Sequence, residues 1–361
     1  MRCYYIMSAT VIDTVISFAI GMILSIGFHF YFAKQKHLEE YFLSSIIAIT
    51  LSTVISISAV AIFFWNSDDF VYDLSITQYL LPLGASLLIL VGVLLGSVPY
   101  LLISTAIACL FSVYYTGITI NFSSELPSWL NMFMTSVCLW LFSGGFYCIS
   151  GLSPFPQSQG ITPALGIIIL AFLGMAPFVL GISAAALLGV LIVAYARSFS
   201  QPINQDCAII LGYIIGWLGL ISCAEYLLPC FIIFMMYYLS EASVALFRRI
   251  MPLEKYKNIP YNTTLYQAYI EKAPEQNISS VIWLTSLLLI LLGVIQINGD
   301  NAFSLPVFAY LFCAWQQYRT IHWQTPKQTL KETNQEVINS IKATFASLFQ
   351  KNDDNQQKDD K

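Results

Sequence analysis

Charge is what this chain has least of. Only 10% of its 361 residues are Asp, Glu, Lys or Arg, and 57% are hydrophobic. Soluble domains carry about 25% charged residues, so an ordinary water-soluble fold is excluded. Histidine is nearly missing too. His29, His37 and His322 stand apart, with no His-x-x-x-His or Glu-x-x-His spacing, so no transition-metal centre is expected. Eight cysteines are scattered, mostly within apolar runs and with no Cys-x-x-Cys pair. They read as small packing residues. The first apolar stretch is followed by no small-residue cleavage pattern, and it is expected to remain as a span.

What the chain has is apolar length. Eleven candidate spans run over roughly 10–32, 42–65, 78–96, 99–119, 129–149, 162–179, 181–196, 207–223, 226–247, 279–297 and 302–317. About 20 apolar residues cross a hydrocarbon core of roughly 30 Å. Inside lipid the backbone must satisfy its own hydrogen bonds, which makes each span a helix. The expected fold is an all-α polytopic membrane protein of about 11 transmembrane helices.

The sparse cations are unevenly placed. Lys34 and Lys36 fall between spans one and two, Arg197 between seven and eight, and Arg248, Arg249, Lys255, Lys257 and Lys272 between nine and ten. Arg319 and six lysines follow span eleven, and only Arg2 lies elsewhere. Basic residues mark the cytoplasmic side. The N-terminus is therefore expected outside and the C-terminus in the cytoplasm. Residues 1–318 form the transmembrane domain, with cytoplasmic loops at 150–161, 197–206 and 248–278. Residues 319–361 form a cytoplasmic tail. There Leu330, Val337, Ile341, Phe345 and Leu348 recur at helical spacing. An amphipathic helix over about 326–350 is expected, lying on the membrane or pairing with a protein partner, ahead of a disordered end.

Three polar stretches on the basic side are candidates for a site. Ser143–Ile161 is rich in Gly, Ser and Pro and suits a non-helical loop lining a polar cavity. Arg197–Asp206 ends in a carboxylate at a helix start, either a cap or a magnesium ligand. Ser240–Lys272 is the longest polar connection between apolar segments. It holds Glu241 about two turns inside span nine, where a carboxylate is costly. From Arg248 to Glu275 five basic residues face three acidic ones, a balance that holds phosphates or simply marks topology. No nucleic-acid partner is expected.

Glu241–Lys255 (EASVALFRRIMPLEK), followed by Leu265-Tyr266-Gln267, resembles the ninth helix and following loop of the polyprenyl-phosphate N-acetylhexosamine-1-phosphate transferases, glycosyltransferase family 4. The resemblance extends weakly from about Leu88 to Gln267. It implies ten or eleven helices, an outer N-terminus, cytoplasmic chemistry and a bacterial inner membrane. It implies Mg²⁺-assisted transfer of a sugar-1-phosphate from a UDP-sugar to undecaprenyl phosphate, with release of UMP, in cell-envelope polysaccharide assembly. It also implies Asp206 and Glu241 as catalytic and metal-binding groups. Substrate contacts would come from Arg248, Arg249, Tyr266, Gln267, Ser150, Gly151 and Ser153.

The chain departs from that family at charged positions. Leu95-Gly96-Ser97 stands where the family has an aspartate pair. Over Gly144–Pro154 the family's Asn-x-x-Asn-x-x-Asp-Gly-x-Asp-Gly keeps Gly151, but both aspartates become Ser150 and Ser153. Ungapped, Gln205 takes the metal-binding aspartate position; a one-residue slip gives it to Asp206. The family's His-Arg-x-His falls on Tyr261–Thr264. Phosphoryl transfer needs a metal held on carboxylates, which serine and glycine do not replace. Three functions follow as expectations: a divergent transferase with reduced or lost catalysis, a non-catalytic lipid-carrier-binding or scaffold protein, and, less favoured, a transporter.

Overall fold

The structure, a computed structural model, describes residues 2–33, 38–65, 74–122, 125–149, 155–198, 205–250, 275–297 and 304–323. All regular elements among them are helices. In chain order these are α1 (Arg2–Ala33), α2 (Leu38–Phe64), α3 (Ile76–Gly84), α4 (Ser86–Leu94), α5 (Val98–Thr116), α6 (Ser128–Ile149) and α7 (Phe155–Phe172). Then come α8 (Phe178–Ser198), α9 (Gln205–Ala224), α10 (Leu228–Phe234), α11 (Met236–Ile250), α12 (Glu275–Ile297) and α13 (Ser304–Trp323). The tail beyond Trp323, with its expected amphipathic helix, lies outside the described residues.

Among the described residues, six stretches are long and apolar enough to cross a membrane: Val11–Tyr31, Ile46–Phe64, Ile76–Leu94, Val98–Thr116, Ser128–Tyr147 and Phe178–Arg197. Shorter apolar helices cover Gln159–Phe172, Ala208–Ala224 and Trp283–Ile297. Large apolar side chains such as Phe63, Tyr114, Leu141 and Leu287 stand exposed on these helices. Water does not tolerate so much contiguous apolar surface, whereas acyl chains do. The chain is an all-α membrane protein.

Several boundaries differ from those read in the sequence. Span six was expected to run to 179, but α7 stops at Phe172 and a turn through Gly174 leads into α8. Gly174 has φ +69°, a left-handed conformation that ends a helix cheaply only for glycine. The glycine-rich stretch 143–161 is helical at both ends, because α6 continues to Ile149 and α7 begins at Phe155. A helix also covers Arg319–Trp323, so α13 reaches past the expected domain edge at 318. Composition reads loops by their Gly and Pro, yet neighbouring helices in a bundle tolerate both.

Two spans are interrupted. The third is split at Ala85 into α3 and α4, with Pro82 inside α3. Proline removes one backbone donor and loosens the helix. Tyr213 of α9 ties this segment to α5: its hydroxyl donates to the Pro82 carbonyl at 2.6 Å and also meets the Ser112 hydroxyl of α5. The second interruption is at Met235, between α10 and α11.

Helices α8 and α9 form the centre. α8 is mostly buried against α1, α2 and α7, and α9 against α6. Small residues allow the close approach. A Cβ on Gly21 of α1 would strike the Ala186 carbonyl of α8, and one on Gly189 would strike the α1 backbone at Phe18 and Met22. In lipid such backbone proximity is a main source of helix association. On the other flank the Phe234 ring of α10 fills the space left by Gly166 of α7 and Gly293 of α12.

Candidate functional site

The sequence places its candidate chemistry near the ends of α6, α9 and α11, and three aromatic contacts bring those ends together. Phe146 of α6 lies against Gly212 of α9, where an added Cβ would be 2.8 Å from its ring. The same ring stacks on Tyr238 of α11, with centroids 4.3 Å apart and planes 28° from parallel. Tyr238 also meets the Phe142 ring edge-on at 5.1 Å and donates a 2.5 Å hydrogen bond to the Phe142 carbonyl. Gly145 leaves room for the Tyr238 hydroxyl.

The pairings settle direction. Moving from Gly212 to Gly216 along α9 shifts the contact from Phe146 back to Phe142 and Leu139, so α6 and α9 are antiparallel. Gly145 faces both Tyr238 and Ala242, while Tyr238 bonds Phe142, so α6 and α11 run the same way. The C-terminal ends of α6 and α11 thus share one end of the bundle with the N-terminus of α9. Short connections bring the start of α7 and the Arg197-bearing last turn of α8 to that end as well.

Glu241 sits on α11 three residues beyond Tyr238, one turn toward this end, and is 2% exposed. Residues three apart share a helix face, so its face is the one Tyr238 turns to α6. Asp206 is the second residue of α9, and Arg248 and Arg249 occupy the last turn of α11. Ser150, Gly151, Ser153, Tyr266 and Gln267 lie outside the described residues. The fold therefore brings the helix ends bearing Asp206, Arg248 and Arg249 to the end of the bundle toward which Glu241 lies.

Hydroxyls and amides that the sequence reading did not single out surround the neighbouring helices. Thr162 of α7 donates to Ser286 of α12 at 2.9 Å, and Thr285 of α12 donates to Gln316 of α13 at 2.9 Å. Ser243 of α11 pairs with Tyr310 of α13 at 3.0 Å. Their signal in the sequence was only a polar residue in an apolar run, which in a membrane helix faces a partner far more often than lipid.

Magnesium would need a set of carboxylate or phosphate oxygens. Among the described residues no group of three or more His, Cys, Asp or Glu comes together to hold an ion. Glu241 alone does not make such a site. What the arrangement offers is one buried carboxylate, hydroxyl and amide pairs, and two arginines on a helix end.

These features define a polytopic helical membrane protein whose buried Glu241 lies toward the end of the bundle that carries the helix ends bearing Arg197, Arg248 and Arg249. The chain matches no protein-family model, and no curated protein is significantly similar to it.

Proposed function

We propose that the chain is a divergent relative of the sugar-1-phosphate transferases of cell-envelope glycan synthesis, with reduced or lost catalysis and a retained capacity to bind a polyprenyl phosphate. The observation that carries this reading is the convergence of the α6, α9 and α11 ends toward which the buried Glu241 lies. An anionic phosphate headgroup needs donors and cations at a membrane surface, and Arg248 and Arg249 supply guanidinium forks of the right geometry. Ser150, Gly151, Ser153, Tyr266 and Gln267 belong to the same proposed site by resemblance. A UDP-sugar is the proposed second ligand.

The reduced catalysis follows from charge. A leaving uridine phosphate develops negative charge that the family neutralises with a metal on several carboxylates. Serines at 150 and 153 and the absence of the histidine pattern at 261–264 remove most of those groups. Asp206 and Glu241 are the groups left to hold Mg²⁺ in this reading. The proposal includes eleven spans, an outer N-terminus, a cytoplasmic C-terminus and residence in a bacterial inner membrane. It extends to a protein partner on the tail.

The test uses purified full-length protein. Undecaprenyl phosphate should bind saturably, and the Arg248→Ala/Arg249→Ala double variant should weaken that binding. UMP release from UDP-sugars with Mg²⁺ should be slow or undetectable. No lipid-phosphate binding sinks the proposal. Rapid Mg²⁺-dependent release that vanishes in Asp206→Ala overturns its catalytic half and leaves an ordinary transferase.

A further inference from the structure

A trough crosses the opposite half of the bundle, where the third span breaks. Its walls come from α2 (Ile62), from α3 and α4 (Leu80, Leu81, Leu88) and from α5 (Phe111), and its floor is Gly84 and Ala85. Gly84 and Ala85, two of the smallest residues, leave room between the walls. A Cβ added to Gly84 would meet nothing within 4 Å. The volume, about 660 Å³, is that of a ligand cleft, roughly 300–1,000 Å³. Leu81, Leu88 and Ile62 line it while standing substantially exposed, so the trough is open to its surroundings.

All three walls belong to stretches able to cross a membrane, Ile46–Phe64, Ile76–Leu94 and Val98–Thr116. The surroundings are therefore acyl chains. An apolar trough does not hold water. One end is polar: Ser75 caps α3 in a capping box with Gln78, and Thr77 lines the trough beside them. From Thr77 to Leu88 the helix rises about 16 Å at ~1.5 Å per residue. That matches half of a hydrocarbon core of roughly 30 Å, the depth of one leaflet. A helix of a second copy would run on through both leaflets, whereas the trough stops near the midplane.

We propose that this trough is a binding site for one acyl chain of a bilayer phospholipid, with its headgroup at the Ser75–Thr77 end and its methyl terminus beside Leu88. The site is separate from the helix ends near Glu241 and does not depend on the transferase reading. A seated chain fills the space over Gly84 and Ala85, between the walls from α2 and α5, where the membrane face would otherwise lose van der Waals contact.

The experiment places full-length protein in nanodiscs containing a phosphatidylethanolamine with a diazirine at the end of one acyl chain. Photoadducts are then mapped by peptide mass spectrometry. Adducts are expected to concentrate on Leu88 and Phe111 relative to Leu287 and Leu291, which are exposed and do not line this trough. Gly84→Phe fills the floor and should abolish the Leu88 and Phe111 adducts while leaving those on α12. Gly84→Leu repeats the test with a smaller side chain should the first variant fold poorly. Equal labelling at all four positions, or labelling at Leu88 that survives both fillings in folded protein, overturns the proposal. Disulfide capture of two copies through Leu81→Cys in the same nanodiscs also overturns it, since it assigns the trough to a second copy.

Discussion

Tyr238 does three things with one side chain. Its ring stacks on Phe146, its edge meets Phe142, and its hydroxyl bonds the Phe142 carbonyl. In a membrane protein an interhelical hydrogen bond averages about 0.6 kcal/mol and reaches about 1.7. Tyr238→Phe keeps the stack and is expected to lower stability by about 0.5–1.5 kcal/mol. Tyr238→Ala removes the ring and should cost about 3–5 kcal/mol, as large-to-small core changes do. Unfolding in mixed micelles, followed by far-ultraviolet circular dichroism, separates the two; equal losses would mean that the hydroxyl and not the stack joins α6 to α11. Glu241 was legible in the sequence because a carboxylate inside an apolar run stands out. Tyr238 was not, because an aromatic within an apolar helix has no distinguishing neighbours in the sequence.

Among the helices, the close contacts rest on absent side chains. Gly21 and Gly189 let the α1 and α8 backbones touch, while Gly27 on the same α1 helix faces open space. Gly189→Leu must push against the Phe18 and Met22 backbone, which cannot rotate away. Overpacking of this kind costs about 1–3 kcal/mol or more. Gly27→Leu should be neutral or slightly stabilising, because leucine favours the helix over glycine by somewhat under about 1 kcal/mol. The unfolding midpoint should therefore fall in Gly189→Leu and hold or rise slightly in Gly27→Leu, and a matching loss in both would refute backbone contact as the tie between α1 and α8. The same scale explains the misplaced boundaries. Pro163 inside α7 and the glycines at 144 and 145 inside α6 look like loop formers in isolation. They remain helical because adjacent helices supply the packing, and at Gly145 the Tyr238 hydroxyl occupies the space that glycine leaves.

For the whole molecule, the basic residues predict an orientation. Single cysteines replacing Ser67, Ser200, Asn258 and Asn298, in a background with the native cysteines removed, test it with a membrane-impermeant maleimide. Positions 67 and 298 are expected to label in intact spheroplasts, and 200 and 258 only after lysis. Labelling of all four from one side would discard the eleven-span topology and with it a cytoplasmic site. Independently of that outcome, the α6, α9 and α11 contacts put the helix ends carrying Asp206, Arg248 and Arg249 at one end of the bundle.

The sequence by itself determined that this is a helical membrane protein and roughly where its helices lie. Hydropathy along the chain is enough for that, since backbone groups in lipid leave no alternative to the helix. Only the tertiary structure decided which helices touch, in which direction, and which polar residues meet. Lipid is as apolar as leucine, so no contrast along a span marks its buried face. The deciding features were small: a hydrogen in place of a side chain at Gly189 and Gly212, one hydroxyl on Tyr213 and another on Tyr238. Each acts only when its partner, far away in the chain, is already beside it.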